Sequence, residues 1–448
     1  MNKPLLINNA RLVNEGTIFE SDLLVRDGRI ARIDPAIGGD ASMEILDAGG
    51  AWLLPGMIDD QVHFREPGLT HKGGIWSESR AAVAGGITSF MEMPNTLPPT
   101  VTLEALADKY ALAAEKSLAN YAFYLGATND NLEVIRALEP GTACGIKIFM
   151  GASTGNMLVD NETTLSGIFR DARALIVTHC ESTPVIKQNL EAALARYGRE
   201  IPVSEHPNIR SAEACYRSTQ TAIGLARENA APLHVLHLST AREMELFEPG
   251  PIDDKLVTAE VCVHFLHFDS DDYERLGNRI KCNPAIKTPA DKAGLLDALK
   301  SGRLDIIATD HAPHTREEKA DSDYLKAPSG LPLVQDALLS TLELYHDGVL
   351  TLEQIVLKTT HNVAQRYRVI DRGYLREGCW ADLVLVDTNR PTPVTSERVL
   401  SQCGWSPFEG ETFRSSILAT LVNGQVVFQD GAIVERNAAQ RLEFRPQR

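Results

Sequence analysis

Pro55-Gly56-Met57-Ile58-Asp59-Asp60-Gln61-Val62-His63-Phe64-Arg65-Glu66-Pro67-Gly68 is the stretch on which the rest of the chain hangs. An apolar run, Ala51-Trp52-Leu53-Leu54, precedes it, and Pro55-Gly56 punctuates the join. Beyond Met57-Ile58 the polar residues alternate as Asp59, Gln61, His63 and Arg65. On an extended strand, period two puts those four side chains on one face and Asp60 on the other. A strand that opens apolar and closes with a carboxylate, an amide, an imidazole and a guanidinium is not building core. It carries reactive groups to its C-terminal end, where barrel enzymes hold their sites.

From about residue 51 to 370 strand-like runs alternate with amphipathic helices. The clear strands are residues 87–93, 122–125, 145–150, 174–179, 233–238, 257–261 and 305–310, which with the opening one make eight. Helical runs such as 103–117 and 185–196 separate them. Alternation at this count predicts an α/β fold of the (β/α)8, TIM-like barrel type over residues 51–370. Both ends of the chain are β-rich, with Asp27-Gly28 and Asn423-Gly424 each splitting a pair of strand-like runs as hairpin turns do. Residues 1–50 and 371–448 are therefore expected to build one small β-sandwich domain together.

With 448 residues the chain can bury a large barrel and a second domain, and 44% hydrophobic with 23% charged residues is ordinary globular composition. The net charge of -16 argues against nucleic acid or an anionic membrane as partner. It leaves room for an anionic small molecule, because a local Arg or Lys outweighs distant, screened charge. Seven scattered cysteines without a CxxC pair indicate neither a disulfide framework nor a thiolate zinc site. The N-terminus lacks a signal peptide's features and no apolar run approaches membrane-spanning length, so a cytoplasmic location is expected. Nothing in the composition excludes a homo-oligomer.

Several strands end in residues that can bind a metal. Lys147 follows Gly145-Ile146, His179 closes Leu-Ile-Val-Thr-His, His237 sits in Leu-His-Val-Leu-His-Leu, and Asp310 closes Asp-Ile-Ile-Ala-Thr-Asp. Each apolar lead-in reads as strand interior and each polar terminus as barrel mouth. Together with His63 they point to a metal site, and imidazole with carboxylate suits zinc without excluding manganese, iron or cobalt. A lysine there is out of place as an ammonium ion, which has no lone pair for a metal; a nearby divalent cation would lower its pKa and expose the amine. His234 is one residue out of phase with His237 and is expected to point into the helix layer. His264 and His267 follow the seventh strand, and His71, His206, His346 and His361 have no strand-end context.

The opening segment resembles the first-strand motif of the dihydroorotases in the cyclic amidohydrolase superfamily, Asp-x-His-x-His-x-Arg-Glu-Pro-Gly. One departure stands out: Gln61 occupies the place of the first metal-binding histidine. Residues 93–96, 145–156 and 310–314 resemble the family as well. The resemblance implies that His63 and Asp310 hold one zinc, that His179 and His237 hold another, and that Lys147, carboxylated by carbon dioxide, bridges them. It implies that Arg65, Asn95 and His314 bind the ring carboxylate of dihydroorotate, that Asn283 contacts the ring, and that Asp310 is the catalytic base. A neutral amide at Gln61 is a poor ligand beside imidazole, so one or two ions per chain are expected, the His179–His237 site being the fuller.

The activity implied is reversible hydrolysis of dihydroorotate to N-carbamoyl-aspartate, in pyrimidine biosynthesis. Two alternatives stay open in the sequence. One is an allantoinase-like enzyme, although allantoinases resemble this segment with asparagine in place of Arg65. The other is a catalytically silent, dihydroorotase-like structural subunit, which Gln61 keeps open and the four strand-end residues oppose.

Overall fold

Eight parallel strands close into a ring in the computed structural model, which describes residues 3–151 and 157–447. They are β1 (Met57–Val62), β2 (Ile87–Glu92), β3 (Asn120–Phe123, resumed at Leu125–Gly126), β4 (Ile146–Phe149), β5 (Ile176–His179), β6 (Leu233–Val235), β7 (Val257–Cys262) and β8 (Ile306–Ala308). Neighbours pair in chain order. A parallel bridge between Val62 and His311 joins the last strand's exit to the first. The expected (β/α)8 barrel is the fold. Every residue of β1, β2, β4 and β5 is buried, as in parallel strands covered on both faces.

The helices follow their sequence signals. Leu103–Lys116 buries Leu106, Tyr110 and Ala113 at i, i+4 and i+7, and the Thr102 side chain caps it by accepting from the Ala105 amide at 3.1 Å. The run expected at 185–196 is the helix Thr183–Tyr197, with proline in its first turn.

Strands from both termini form one continuous nine-stranded sheet with its own apolar core, including Leu5, Ile7, Leu23, Leu53, Leu383 and Leu421. Trp52–Pro55 lies between Leu5–Asn14 and Leu383–Asp387, so the sheet takes in chain beyond residue 50. Both expected hairpin turns are present, with positive φ at Asp27 and Gly28 and at Asn423 and Gly424. The turns pack against each other, one from each terminus: a Cβ on Gly28 would stand 2.9 Å from the Asn423 carbonyl oxygen. Only glycine fits there.

One irregularity in β1 matters for everything at the mouth. Asp59 pairs with Phe90 but Val62 pairs with Glu92, so three steps of β1 face two of β2. That is a bulge, and strict alternation fails across Asp60 and Gln61.

Candidate active site

β1 delivers two side chains to Asp310, which lies just past β8. The Gln61 amide nitrogen donates to Asp310 Oδ1 at 3.1 Å, and His63 Nε2 lies 3.1 Å from the same oxygen. His63 Nδ1 is 2.7 Å from Asn95 Oδ1, beyond the end of β2. The structure therefore engages Asn95 with His63. Asp59 does not join this group: its carboxylate accepts from the Thr309 hydroxyl at 2.6 Å and ties β1 to β8.

A second pair lies across the mouth. His179 Nδ1, at the end of β5, faces His237 Nε2, beyond β6, at 2.9 Å. Two buried neutral imidazoles can share one proton at that contact, and His237 Nδ1 has no hydrogen-bond partner among the described residues. Burial lowers the pKa of His63, His179 and His237, most strongly for His237, so all three favour the neutral, metal-binding form. Lys147 is buried on β4, and its charge acts on all three histidines. Burial brings its amine down to about 8, and no carboxylate lies within ion-pair distance of it among the described residues. Facing nitrogens, a partnerless His237 Nδ1 and an unpaired buried amine fit a metal, which His63, Asp310, His179, His237 and a modified Lys147 would hold. The rest of the motif that resembles the family around Lys147, residues 152–156, lies outside the described residues.

Residues that no spacing revealed hold these side chains in place. Glu181 accepts from His179 Nε2 at 3.0 Å and pairs with Arg210, which fixes the tautomer that leaves Nδ1 for a metal. Glu260 on β7 accepts from the His237 backbone N–H at 2.9 Å. His237, Asp310 and Arg65 all adopt positive φ, at 41°, 52° and 67°. Such backbone costs on the order of 1–3 kcal/mol per residue and persists where surroundings enforce it, commonly at functional sites.

Glu181 gives a testable pH dependence. Burial raises its pKa, but Arg210 and His179 outweigh this and bring it to about 2, below the ordinary glutamate value of 4.5. A carboxyl with a depressed folded pKa contributes stability above its unfolded pKa and loses it as pH falls through the folded one. The stability gap between wild type and Glu181→Gln should be full above about pH 4.5, on the order of 3 kcal/mol, and should shrink towards pH 2. Denaturant melts of both proteins at pH 7, 4.5 and 3 measure it; a gap that widens with acid would contradict the assignment.

Arg65 is buried, and its Nε donates to the Pro313 carbonyl at 3.1 Å. Its Nη2 lies 3.2 Å from His314 Nε2. Lys72, which the sequence did not single out, donates to His314 Nδ1 at 3.0 Å. An imidazole accepting at Nδ1 carries its proton on Nε2, and the Ser329 carbonyl accepts that proton at 3.1 Å. The facing Arg65 nitrogen then has no acceptor there. No carboxylate lies within ion-pair distance of Arg65 among the described residues. Asn283 Oδ1, in the loop after β7, is buried without a partner among the described residues.

Two expectations fail at one place. Asp60 and His234 both point into the barrel interior, where His234 Nε2 lies 3.3 Å from Asp60 Oδ2 and 3.2 Å from Glu260 Oε2. The bulge turns Asp60 inward. β6 ends at Val235 and the left-handed His237 then redirects the chain, so His234 and His237 face inward despite their odd spacing. His264 is buried near Asp310 with neither nitrogen hydrogen-bonded among the described residues, whereas His206 is held by Tyr324 and the Cys282 carbonyl.

The amidohydrolase family profile matches residues 52–427. The chain belongs to the amidohydrolase family. This amidohydrolase is 33% identical over 434 residues to an allantoinase of Bacillus velezensis, covering 95% of this chain and 94% of the other. It is 32% identical over 441 residues to a dihydroorotase of Methanosarcina acetivorans, covering 95% and 92%. Its fold superposes on L-hydantoinase (dihydropyrimidinase) from Arthrobacter aurescens with a TM-score of 0.92 at 30% identity, over 98% of this chain and 99% of that one. The amidohydrolase is thus an enzyme that hydrolyses cyclic amides, in a family that is generally metal-dependent. No described helix is long and apolar enough to cross a membrane.

Proposed function

We propose that this amidohydrolase is a dihydroorotase, which reversibly opens the ring of dihydroorotate to N-carbamoyl-aspartate in pyrimidine biosynthesis. The observation that carries the reading is Arg65: a buried guanidinium at the mouth with no carboxylate partner among the described residues. Burying such a charge is costly unless a counter-ion completes it. A ring carboxylate, taken up by the guanidinium fork, supplies that counter-ion. His314 and Lys72 flank the same position, and Asn283 offers an unpartnered amide oxygen to a ring N–H.

His63, Asp310, His179, His237 and a carboxylated Lys147 would hold one or two zinc ions per chain, which when bound would acidify water to near neutrality and polarise the amide carbonyl. Asp310 serves as base and then acid. Its Oδ1 is engaged by Gln61 and His63, which leaves Oδ2 to take the water proton and return it to the departing amide nitrogen. Lys147 reaches its uncharged amine at accessible pH, and that amine adds carbon dioxide, forming an N–C bond and releasing a proton. Gln61 donates its amide N–H to Asp310 and its oxygen accepts from the Cys262 thiol at 3.8 Å, so it offers the first-strand metal less than imidazole would.

A second reading, an allantoinase, has the identity to the Bacillus protein in its favour. Allantoin carries no carboxylate and would leave Arg65 unpaired. Steady-state assays with dihydroorotate, N-carbamoyl-aspartate, allantoin and hydantoin decide between them. Dihydroorotate should have the largest kcat/KM; faster turnover of allantoin would replace the dihydroorotase reading with the second one.

A further inference from the structure

We infer that Asp60, His234 and Glu260 form a divalent-cation site inside the barrel, deeper than the ligands at the mouth. The three residues stand on β1, β6 and β7, and β8 separates β7 from β1 in the ring, so they meet across the interior. All three are fully buried, and their ligand atoms lie within 4.8 Å of one another.

Hydrogen bonding around the group favours a cation over a simple polar cluster. His234 Nδ1 lies 2.8 Å from the Thr258 hydroxyl, whose own proton can go to the Leu233 carbonyl at 3.4 Å. With the hydroxyl donating to that carbonyl, the ring proton sits on Nδ1 and the Nε2 lone pair faces two carboxylates; in the metal-free group, Nε2 carries a proton and donates to Glu260 Oε2 at 3.2 Å. Metal-bound histidines are commonly oriented this way, donating the far N–H to a neighbouring oxygen. Neither carboxylate oxygen of Asp60 makes a hydrogen bond among the described residues. With no hydrogen bond and only an imidazole nitrogen 3.3 Å from one oxygen among the described residues, such a buried carboxylate is costly. Removal of two carboxylates from water calls for a matching positive charge.

A proton on His234 is the competing answer. Burial lowers this imidazole's pKa, but Asp60 and Glu260 more than offset it and bring it to about 9. One imidazolium leaves the group one net negative charge, which burial and Asp60 partly relieve by bringing Glu260 up to about 7; a divalent ion with neutral imidazole balances both carboxylates without a proton on either. Two carboxylates and an imidazole suit zinc, manganese or iron(II).

The sequence shows the same displacement. The family motif resembled by β1 has histidine where this chain has Gln61 and leaves the preceding position open, where this chain has Asp60. A ligand is weakened at one position and a stronger one stands next to it. Glu260 links the two levels, since its Oε1 accepts from the His237 backbone and lies 3.7 Å from Cys262 Sγ, which in turn meets Gln61. The inference holds whichever ring the enzyme opens.

The test is anomalous X-ray diffraction from crystals of the full chain dialysed against Zn2+, with data on both sides of the zinc absorption edge. Elemental analysis of dialysed wild type and Asp60→Asn accompanies it. A peak between Asp60, His234 and Glu260 is expected in wild type. Asp60→Asn, nearly the same shape without the charge, should lose that peak and one zinc per chain while keeping any peak at the mouth. Absence of an interior peak in wild type overturns the inference even if the variant fails to fold. An unchanged zinc count in a folded Asp60→Asn protein overturns it too. A filled interior with an empty mouth would instead sink the metal chemistry of the proposed function and leave this site standing.

Discussion

Arg65→Met should reduce kcat/KM for dihydroorotate by roughly 30-fold to several-thousand-fold, corresponding to about 2–5 kcal/mol for loss of one partner of a buried charge pair. The substitution suits the position. Methionine has a similar reach and, like arginine, is an L-residue at a φ of 67°, so the backbone demand is unchanged. Two further measurements separate a substrate role from a structural one. Hydrolysis of dihydrouracil, which lacks the carboxylate, should not suffer in proportion. The ligand-free variant should also melt no lower than wild type, because the residue removed is a buried charge without a counter-ion. An unchanged KM for dihydroorotate would show that Arg65 does not meet the carboxylate.

Asp310→Asn should lower kcat by about 10²–10⁴-fold, the range expected for loss of general acid–base catalysis. Asparagine keeps an oxygen for the Gln61 amide, so the mouth should stay assembled. KM should change far less than kcat, and metal content read by elemental analysis shows whether a ligand has been lost as well. A parent that is itself inert, with the variant no different, would favour the silent-subunit alternative. Retained activity in Asp310→Asn would remove Asp310 from its role as the base.

What could be read in the sequence follows from the distance over which each signal acts. The eight barrel strands were legible because each is a short apolar run with its own flanking punctuation. His63, Lys147, His179, His237 and Asp310 stood out because each interrupts or ends such a run; the structure sets His63 against Asp310 and His179 against His237, with the charge of Lys147 acting on all three histidines. Asp60 and His234 were misplaced because counting by two assumes an unbroken strand. The bulge in β1 and the left-handed turn at His237 both break the count, and neither is marked by glycine or proline. Glu181, Glu260, Lys72 and Cys262 were silent for another reason. Each has a partner far away in the chain, Arg210, the His237 backbone, His314 and Gln61 in turn, and short-range spacing does not show those pairings.

The shared terminal sheet bears on how the protein is made. Trp52–Pro55 pairs on one side with Leu5–Asn14, which the ribosome has already released, and on the other with Leu383–Asp387, which emerges only after the whole barrel. Throughout translation of the barrel the early strands therefore wait with an open edge and a half-covered apolar face. Such edges recruit other chains. A nascent or prematurely stopped polypeptide that ends before Leu383 would own the whole barrel and still be a candidate for aggregation and proteolytic clearance. Completion of the sheet thus waits on strands from Leu383 onward, far in sequence from the residues gathered at the barrel mouth.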